Sequence, residues 1–308
     1  MKNDKKENKA LSKTSVSSCV FGDSEIEILK LKDESIDIIC IDPPYLYLKN
    51  QKLEREFNEN KFFEQCKRVL IEDGFIIMFG RGVSFYRMNC ILNGLGFNFK
   101  EEIIWNKEMT ASPLLPLSRV HETVSIFTKG KGVIRKNKVP YMEMREKDFS
   151  KILDDVNRLK QILKNTKAFD NVLSFLENKD LGYKNEIKTK FKTTSQGHHK
   201  DRCRSVSVMQ SIKDGMSERS IIKEIREHYR AIHPTQKPVR LLERLIMLCL
   251  PDKSKEEILV VDFFAGSFSC GEACYNLGVN FLGYEIDEEY YKKGIERMEK
   301  IKFQTKLF

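Results

Sequence analysis

Two hydrophobic rhythms alternate along the chain. Short runs of adjacent apolar residues predict buried strands, and apolar residues recurring every three or four positions predict helices with one face on a core. Residues 36–41 are an apolar run that ends at a proline, so they predict a buried strand. Residues 60–70 place Phe62, Phe63, Cys66, Val69 and Leu70 at helical spacing. Residues 74–79 read as a second buried strand and 85–95 as a helix. Residues 101–105 and 122–127 read as two further strands. This alternation predicts an α/β fold, a mostly parallel sheet flanked by helices on both faces.

The rhythm changes after residue 130. Residues 148–178 carry Ile152, Leu153, Val156, Leu159 and Leu163, then Phe169, Val172, Leu173 and Leu176, as one or two amphipathic helices would. Residues 184–204 are polar and basic, with seven Lys or Arg against Glu186 and Asp201, and predict a loop or arm. Residues 218–229 read as helical, with Ile221, Ile222 and Ile225 on one side. The α/β rhythm then returns: a helix over 239–250, a strand over 258–263, a Gly-containing turn, and a helix through Asn276. A strand over 281–286 and a charged helix over 289–300 follow. The expected organisation is a disordered leader (1–16), a first catalytic part (17–130), an insertion (131–230) and a second catalytic part (231–308).

Composition narrows this picture only in part. Hydrophobic residues make up 41% and charged residues 32% of 308 residues, as in ordinary globular chains. No apolar run approaches the ~20 residues of a membrane span. The first residues lack the apolar core of a secretory signal. The eight cysteines form no CxxC pair, which favours reduced thiols in a cytoplasmic protein over a disulfide framework or zinc site. His198, His199 and Cys203 lack an evident fourth ligand, so no metal is expected. A net charge of +9 fits a polyanionic partner or a merely Lys-rich surface.

Three segments carry chemistry. Asp42-Pro43-Pro44-Tyr45 stands where a buried strand emerges, the place where open α/β sheets bind ligands. The prolines remove two N–H donors and leave their carbonyls. Asp42, the Pro43 carbonyl and the Tyr45 ring together suit an amino group on a flat ring. The second segment, residues 260–267, is a strand ending at Asp262 and a small-residue turn before a helix. Glu285 follows 23 residues later at the next strand end. That spacing suits a nucleoside cofactor, with the second acid on ribose hydroxyls. The third, His233-Pro234-Thr235-Gln236-Lys237-Pro238, opens a helix and offers a lysine to a carboxylate.

In this order, and with His121-Glu122 leading the strand that ends before Lys129, these segments resemble the β group of amino-directed DNA methyltransferases. The resemblance implies a Rossmann-like methyltransferase fold with a target-recognition insertion at 131–230. It implies S-adenosyl-L-methionine as cofactor and methyl transfer to adenine N6 in duplex DNA after base flipping. An N4-cytosine enzyme and a catalytically impaired DNA-binding relative are the alternatives. Asp42, Pro43 and Tyr45 would be catalytic. Asp23, Asp262, Phe264, Gly266, Ser267, Ser269, Glu285, Lys237 and Thr235 would hold the cofactor. Lys188, Lys190, Lys192, Lys200, Arg202 and Arg204 would meet DNA phosphates. A second copy of the chain and a cognate restriction endonuclease are further partners of such enzymes. The chain departs from the family where Phe263 replaces a proline and Phe268 a glycine. A Phe at that second position is expected to add bulk beside the ligand, and to force the turn to shift if it needs a positive φ.

Overall fold

In a computed structural model the described residues are 17–45, 55–108, 116–145, 148–162, 170, 172–173, 204–226 and 231–304. The chain divides into two compact units, one made of Met1–Arg135 with Arg219–Phe308, the other of Lys136–Glu218.

The first unit is built on an eight-stranded sheet. Its strands are β1 (Ser17–Phe21), β2 (Ile36–Ile41), β3 (Leu70–Gly80), β4 (Asn98–Asn106) and β5 (His121–Thr128). After the second unit come β8 (Ile221–Lys223), β9 (Leu259–Asp262) and β10 (Asn280–Glu285). The spatial order is β1-β10-β9-β2-β3-β5-β4-β8. All pairs are parallel except those of β5 with β3 and with β4.

Helices cover both faces: α1 (Ser24–Glu27), α2 (Glu59–Val69) and α3 (Gly82–Gly94) precede the second unit. The helices α7 (Val239–Cys249), α8 (Ser269–Leu277) and α9 (Glu288–Gln304) follow it. Every residue of β2 is buried, as a strand covered on both faces must be. Ile38 and Cys40 pack with α7 and α8, while Ile39 and Ile41 pack with α2 and α3. Ile36 breaks that alternation because the register with β3 shifts between Ile36 and Ile38. Each such isoleucine stabilises the fold by about 1.5–3 kcal/mol.

The second unit holds α4 (Tyr141–Arg145), α5 (Phe149–Ile162), α6 (Arg204–Asp214) and a two-stranded ribbon of β6 (Lys138–Val139) with β7 (Met216–Ser217). The Tyr141 hydroxyl donates to the buried Asp155 at 2.8 Å, and Arg145 and Arg158 pair with the same carboxylate.

Two expectations are corrected. Of the helix expected over 218–229, the described part, 218–226, is not helical: Ile221 and Ile225 are 55% and 51% exposed while Ile222 is fully buried, because β8 alternates its faces against β4. The three isoleucines fit a helical stripe in sequence, but pairing with an available sheet edge decided the outcome. The strand β1, which pattern alone missed, pairs in parallel with β10 along its whole length. Most of the basic segment 184–204 lies outside the described residues, and Arg204 itself opens α6.

Candidate active site

The parallel strands β2, β9 and β10 end on the same edge of the sheet. At that edge a cavity of about 470 Å³ is lined by Asp23, Asp42, Pro43, Tyr45, Thr235, Lys237, Asp262, Phe264, Gly266, Ser267, Ser269 and Glu285. The twelve residues assigned to catalysis and cofactor therefore share one space, although residues 23 and 285 lie at opposite ends of the chain. Lys188, Lys190, Lys192 and Lys200, with Arg202, which were expected to meet DNA phosphates, lie outside the described residues.

On the β2 side, Asp42 is held from two directions. The Tyr45 hydroxyl donates to its Oδ1, and the Lys237 ammonium donates to its Oδ2. Burial pushes the Asp42 carboxyl above the usual carboxylate range, against the pull of Lys237. Lys237 is only 6% exposed and also pairs with Glu122 Oε2 at 3.2 Å. Glu122 Oε1 in turn accepts from Lys107 at 3.0 Å. Four charges thus alternate through the protein: Asp42, Lys237, Glu122, Lys107. Burial alone would raise the Glu122 carboxyl, but the two ammoniums overcome it and bring it to about 2. Burial alone would lower Lys237, and its two carboxylates instead hold it above the usual lysine range.

The walls here are apolar. The Lys237 nitrogen lies 5.0 Å from the Phe79 ring centroid and 6.0 Å from that of Trp105. Trp105 is fixed by its indole N–H donating to the Glu224 carbonyl at 2.8 Å. Such walls exclude water and strengthen the charge interactions within them. Glu122 has no role in the sequence reading beyond its place in the His121-Glu122 pair, and that pair was the only signal pointing to it.

On the β9 and β10 side, Glu285 accepts from Gly266 N–H at 2.7 Å and from Asp287 N–H at 2.8 Å. The residue borders the cavity. Burial raises its carboxyl, and it pushes Asp262 up to about 8. Asp262 steadies the turn by accepting from Phe264 N–H at 3.0 Å. The Phe264 ring packs between Phe57 and Phe62, with centroids 5.3 and 5.5 Å away. Asp23 caps α1 by accepting from Glu25 N–H and pairs with Arg55 at 3.1 Å.

Gly266 has a φ of 51°, and a Cβ there would come within 3.3 Å of the His233 ring. Both facts favour glycine. Burial and the nearby Lys237 charge bring His233 down to about 4, so its ring is neutral. Its Nδ1 accepts from Thr235 N–H at 3.2 Å.

The expectation about Phe268 is corrected. Its φ is 55°, so the turn does use the left-handed region, and the phenylalanine adopts it. Its side chain does not stand beside the ligand space. It is fully buried on the far side, against Phe281 and Tyr291 at centroid distances of 6.3 and 6.2 Å. Room for the ring comes from Gly294, where a Cβ would approach it within 2.1 Å.

An acid at the end of β10, the Phe264 ring on the same cavity and a turn with glycine at its head are of a kind that fits an adenosyl cofactor. Among the described residues no group of three or more His, Cys, Asp or Glu could hold a metal, and no helix is long and apolar enough to cross a membrane.

Comparison with known proteins agrees with this geometry. The family model N6_N4_Mtase, described as DNA methylase, matches residues 36–296. The DNA adenine methyltransferase YhdJ of Escherichia coli K12 is 25% identical over 290 residues, covering 91% of this chain and 82% of that one. The crystal structure of the M1.HpyAVI–SAM complex superposes with a TM-score of 0.52 at 18% identity, covering 92% of this chain and all of that one. The cytosine-N4-specific PvuII DNA methyltransferase gives 0.55 at 15% identity, with 94% and 91% coverage.

Proposed function

The chain belongs to the DNA methylase family, and on that premise we propose that it methylates the N6 amino group of adenine in duplex DNA. It is an S-adenosyl-L-methionine-dependent DNA methyltransferase with the Rossmann-like fold of that class. The observation that carries the choice of an amino group is the Asp42–Tyr45 turn, facing Asp262 and Glu285 across one cavity. The adenine preference rests on the aspartate at the head of that turn, with a named adenine methyltransferase among its relatives.

When bound, S-adenosyl-L-methionine supplies an electrophilic methyl group on a sulfonium. Glu285 would accept from its ribose hydroxyls, with Phe264, Gly266, Ser267 and Ser269 as the surrounding wall and Asp23 toward the adenine. Asp42 and the Pro43 carbonyl accept the two N–H bonds of the target amine. That pulls the nitrogen lone pair out of ring conjugation, and the Tyr45 ring stacks on the extruded base. The bound cofactor would supply the methyl to that nitrogen by in-line displacement, its sulfur leaving as a neutral thioether. Positioning and electrostatics supply the acceleration. The proton that the amine must lose passes to a carboxylate oxygen of Asp42, which burial makes more basic than a surface aspartate. Lys237, assigned to the cofactor in the sequence reading together with Thr235, here acts by orienting Asp42.

The unit Lys136–Glu218 is the proposed target-recognition region. A cytoplasmic location, a second copy of the chain and a cognate endonuclease complete the proposal. Fractionation, sedimentation and co-purification test each in turn.

Labelled-methyl transfer to duplex DNA, RNA and protein, followed by nucleoside analysis of the product, tests the central reading. N6-methyladenine in DNA supports it. Methylated cytosine would reassign the base, and label confined to RNA or protein would overturn it.

A further inference from the structure

Thirteen arginine side chains are described, and they divide sharply. Nine pair with a named carboxylate, among them Arg55 with Asp23, Arg87 with Glu59 and Arg244 with Glu224. A tenth, Arg219, also has a partner. The side chains of the remaining three, Arg81, Arg119 and Arg226, make no hydrogen bond or ion pair among the described residues. All three are half-buried, and all three border the active-site cavity. A half-buried guanidinium with five donors ordinarily finds an acid, and among the described residues these three have none.

Topology explains why they meet. Arg81 directly follows Gly80, the last residue of β3. Arg119 lies two residues before His121, which opens the antiparallel β5 at that same edge. Arg226 stands three residues beyond Lys223 at the end of β8. Three strand ends thus deliver three cations, unpaired among the described residues, to the half of the sheet beyond β2, the half that carries Asp42. On the cofactor side Arg55 is already neutralised by Asp23.

We propose that Arg81, Arg119 and Arg226 bind the DNA phosphates flanking the extruded nucleotide, holding the strand while its base enters the Asp42–Tyr45 site. The inference rests on the DNA methyltransferase reading above. Phosphates are the anions a flipped nucleotide brings with it, and arginine grips them in a bidentate fork. The competing anion is the cofactor's own carboxylate, because Arg226 lies near enough to His233 to act on it electrostatically.

The test uses the full chain with Arg81, Arg119 and Arg226 changed to Gln, singly and together, and each changed to Lys. Two quantities are measured. The first is kcat/KM on unmethylated plasmid DNA across a salt series, and the second is S-adenosyl-L-methionine affinity by calorimetry. Each Gln substitution should flatten the slope of log kcat/KM against log salt by about 1, and the triple variant by about 3. The Lys variants should keep the slope, and cofactor affinity should change less than about twofold. An unchanged slope in folded Gln variants of an active enzyme overturns the arginine assignment alone. Lost cofactor affinity with an unchanged slope reassigns the arginines to the cofactor carboxylate, which also overturns it. A wild-type chain inert on DNA overturns the methyltransferase reading itself.

Discussion

Lys237 donates to Asp42 across 195 residues of sequence. Two motifs that look independent in the chain therefore form one ion pair, on which the geometry of the proposed amine acceptor depends. Removing one member of a buried pair leaves the other charge uncompensated, which typically costs about 3–5 kcal/mol. The gentler change Asp42→Asn keeps the shape and loses the charge. It should reduce methyl transfer by at least about a hundredfold, since the proton acceptor is lost and the amine is left with a neutral amide oxygen in place of a carboxylate. Calorimetry should find cofactor binding within about threefold of wild type, because Glu285 is untouched. Near-normal turnover in that variant would remove Asp42 from the mechanism.

Glu122 competes with Asp42 for the same ammonium. Its negative charge also helps raise the Asp42 carboxyl, second to burial. Among the described residues the titratable groups that act on or with Asp42 include Lys237 from the entry to α7, Glu122 on β5, Tyr45 beyond β2, Cys40 on β2 and Asp262 on β9, with Arg81, Arg119 and Arg226 on the same cavity. Activity requires ionised Asp42, so it falls as pH drops through the folded pKa of that group. Glu122→Gln keeps an acceptor for Lys107 and removes the competing charge. The acid limb of the kcat profile should then move to lower pH. A limb that stays in place, in an enzyme that still turns over, shows that Glu122 does not act on Asp42.

Asp262 is pushed up to about 8 from an ordinary value near 3.8. Between these values the folded chain holds a proton that the unfolded chain has released. Stability from this group is full below about 4 and is lost as pH rises through about 8. The loss is at most about 1.4 kcal/mol per pH unit. Asp262→Asn should remove that downward trend. Subtracting its melting curve from that of wild type, pH by pH, isolates the contribution from the opposing one of His233. A difference that does not depend on pH would contradict a protonated Asp262.

Phe268 and Gly294 are a matched pair. Gly294→Ala should destabilise the fold by about 1–3 kcal/mol, because the new methyl would overlap the Phe268 ring. Phe268→Gly alone loses a buried ring, at about 3–5 kcal/mol, and regains a little from relieving the left-handed backbone. In the double variant the overlap is gone, so the costs should fall short of their sum by at least about 1 kcal/mol. Additive denaturation midpoints would mean that the two positions do not share the space.

Legibility followed periodicity. The strand 36–41 and the helix 239–250 were clear because their apolar positions match one rhythm over several turns or pleats. The segment around β8 was misread because three isoleucines satisfy helix and strand patterns alike, and only the open edge of β4 distinguishes them. The first strand, Ser17–Phe21, has no fully buried residue and so gives no pattern to read. Within the site, the paired carboxylates and glycines were visible as motifs. The partnership of Lys237 with Asp42 was not, since it depends on β2 and the entry to α7 meeting in space. Phe268 was misjudged because its compensation lies at Gly294, well outside the motif.

The placement of β9 has a consequence for how the chain is made. It completes the sheet beside β2, and its first amide, Leu259 N–H, donates to Asp37 over a sequence separation of 222. At translation rates of about 5–20 residues per second, β2 waits roughly ten to forty-five seconds for that neighbour. During that time one edge of this wholly buried strand carries unpaired backbone groups, an open template for pairing with other chains. Half of the reaction cleft exists early, but it can neither hold its cofactor nor hide its central strand until the cofactor strands emerge. Biosynthesis at high expression, rather than the stability of the finished enzyme, is where this fold is most exposed to aggregation.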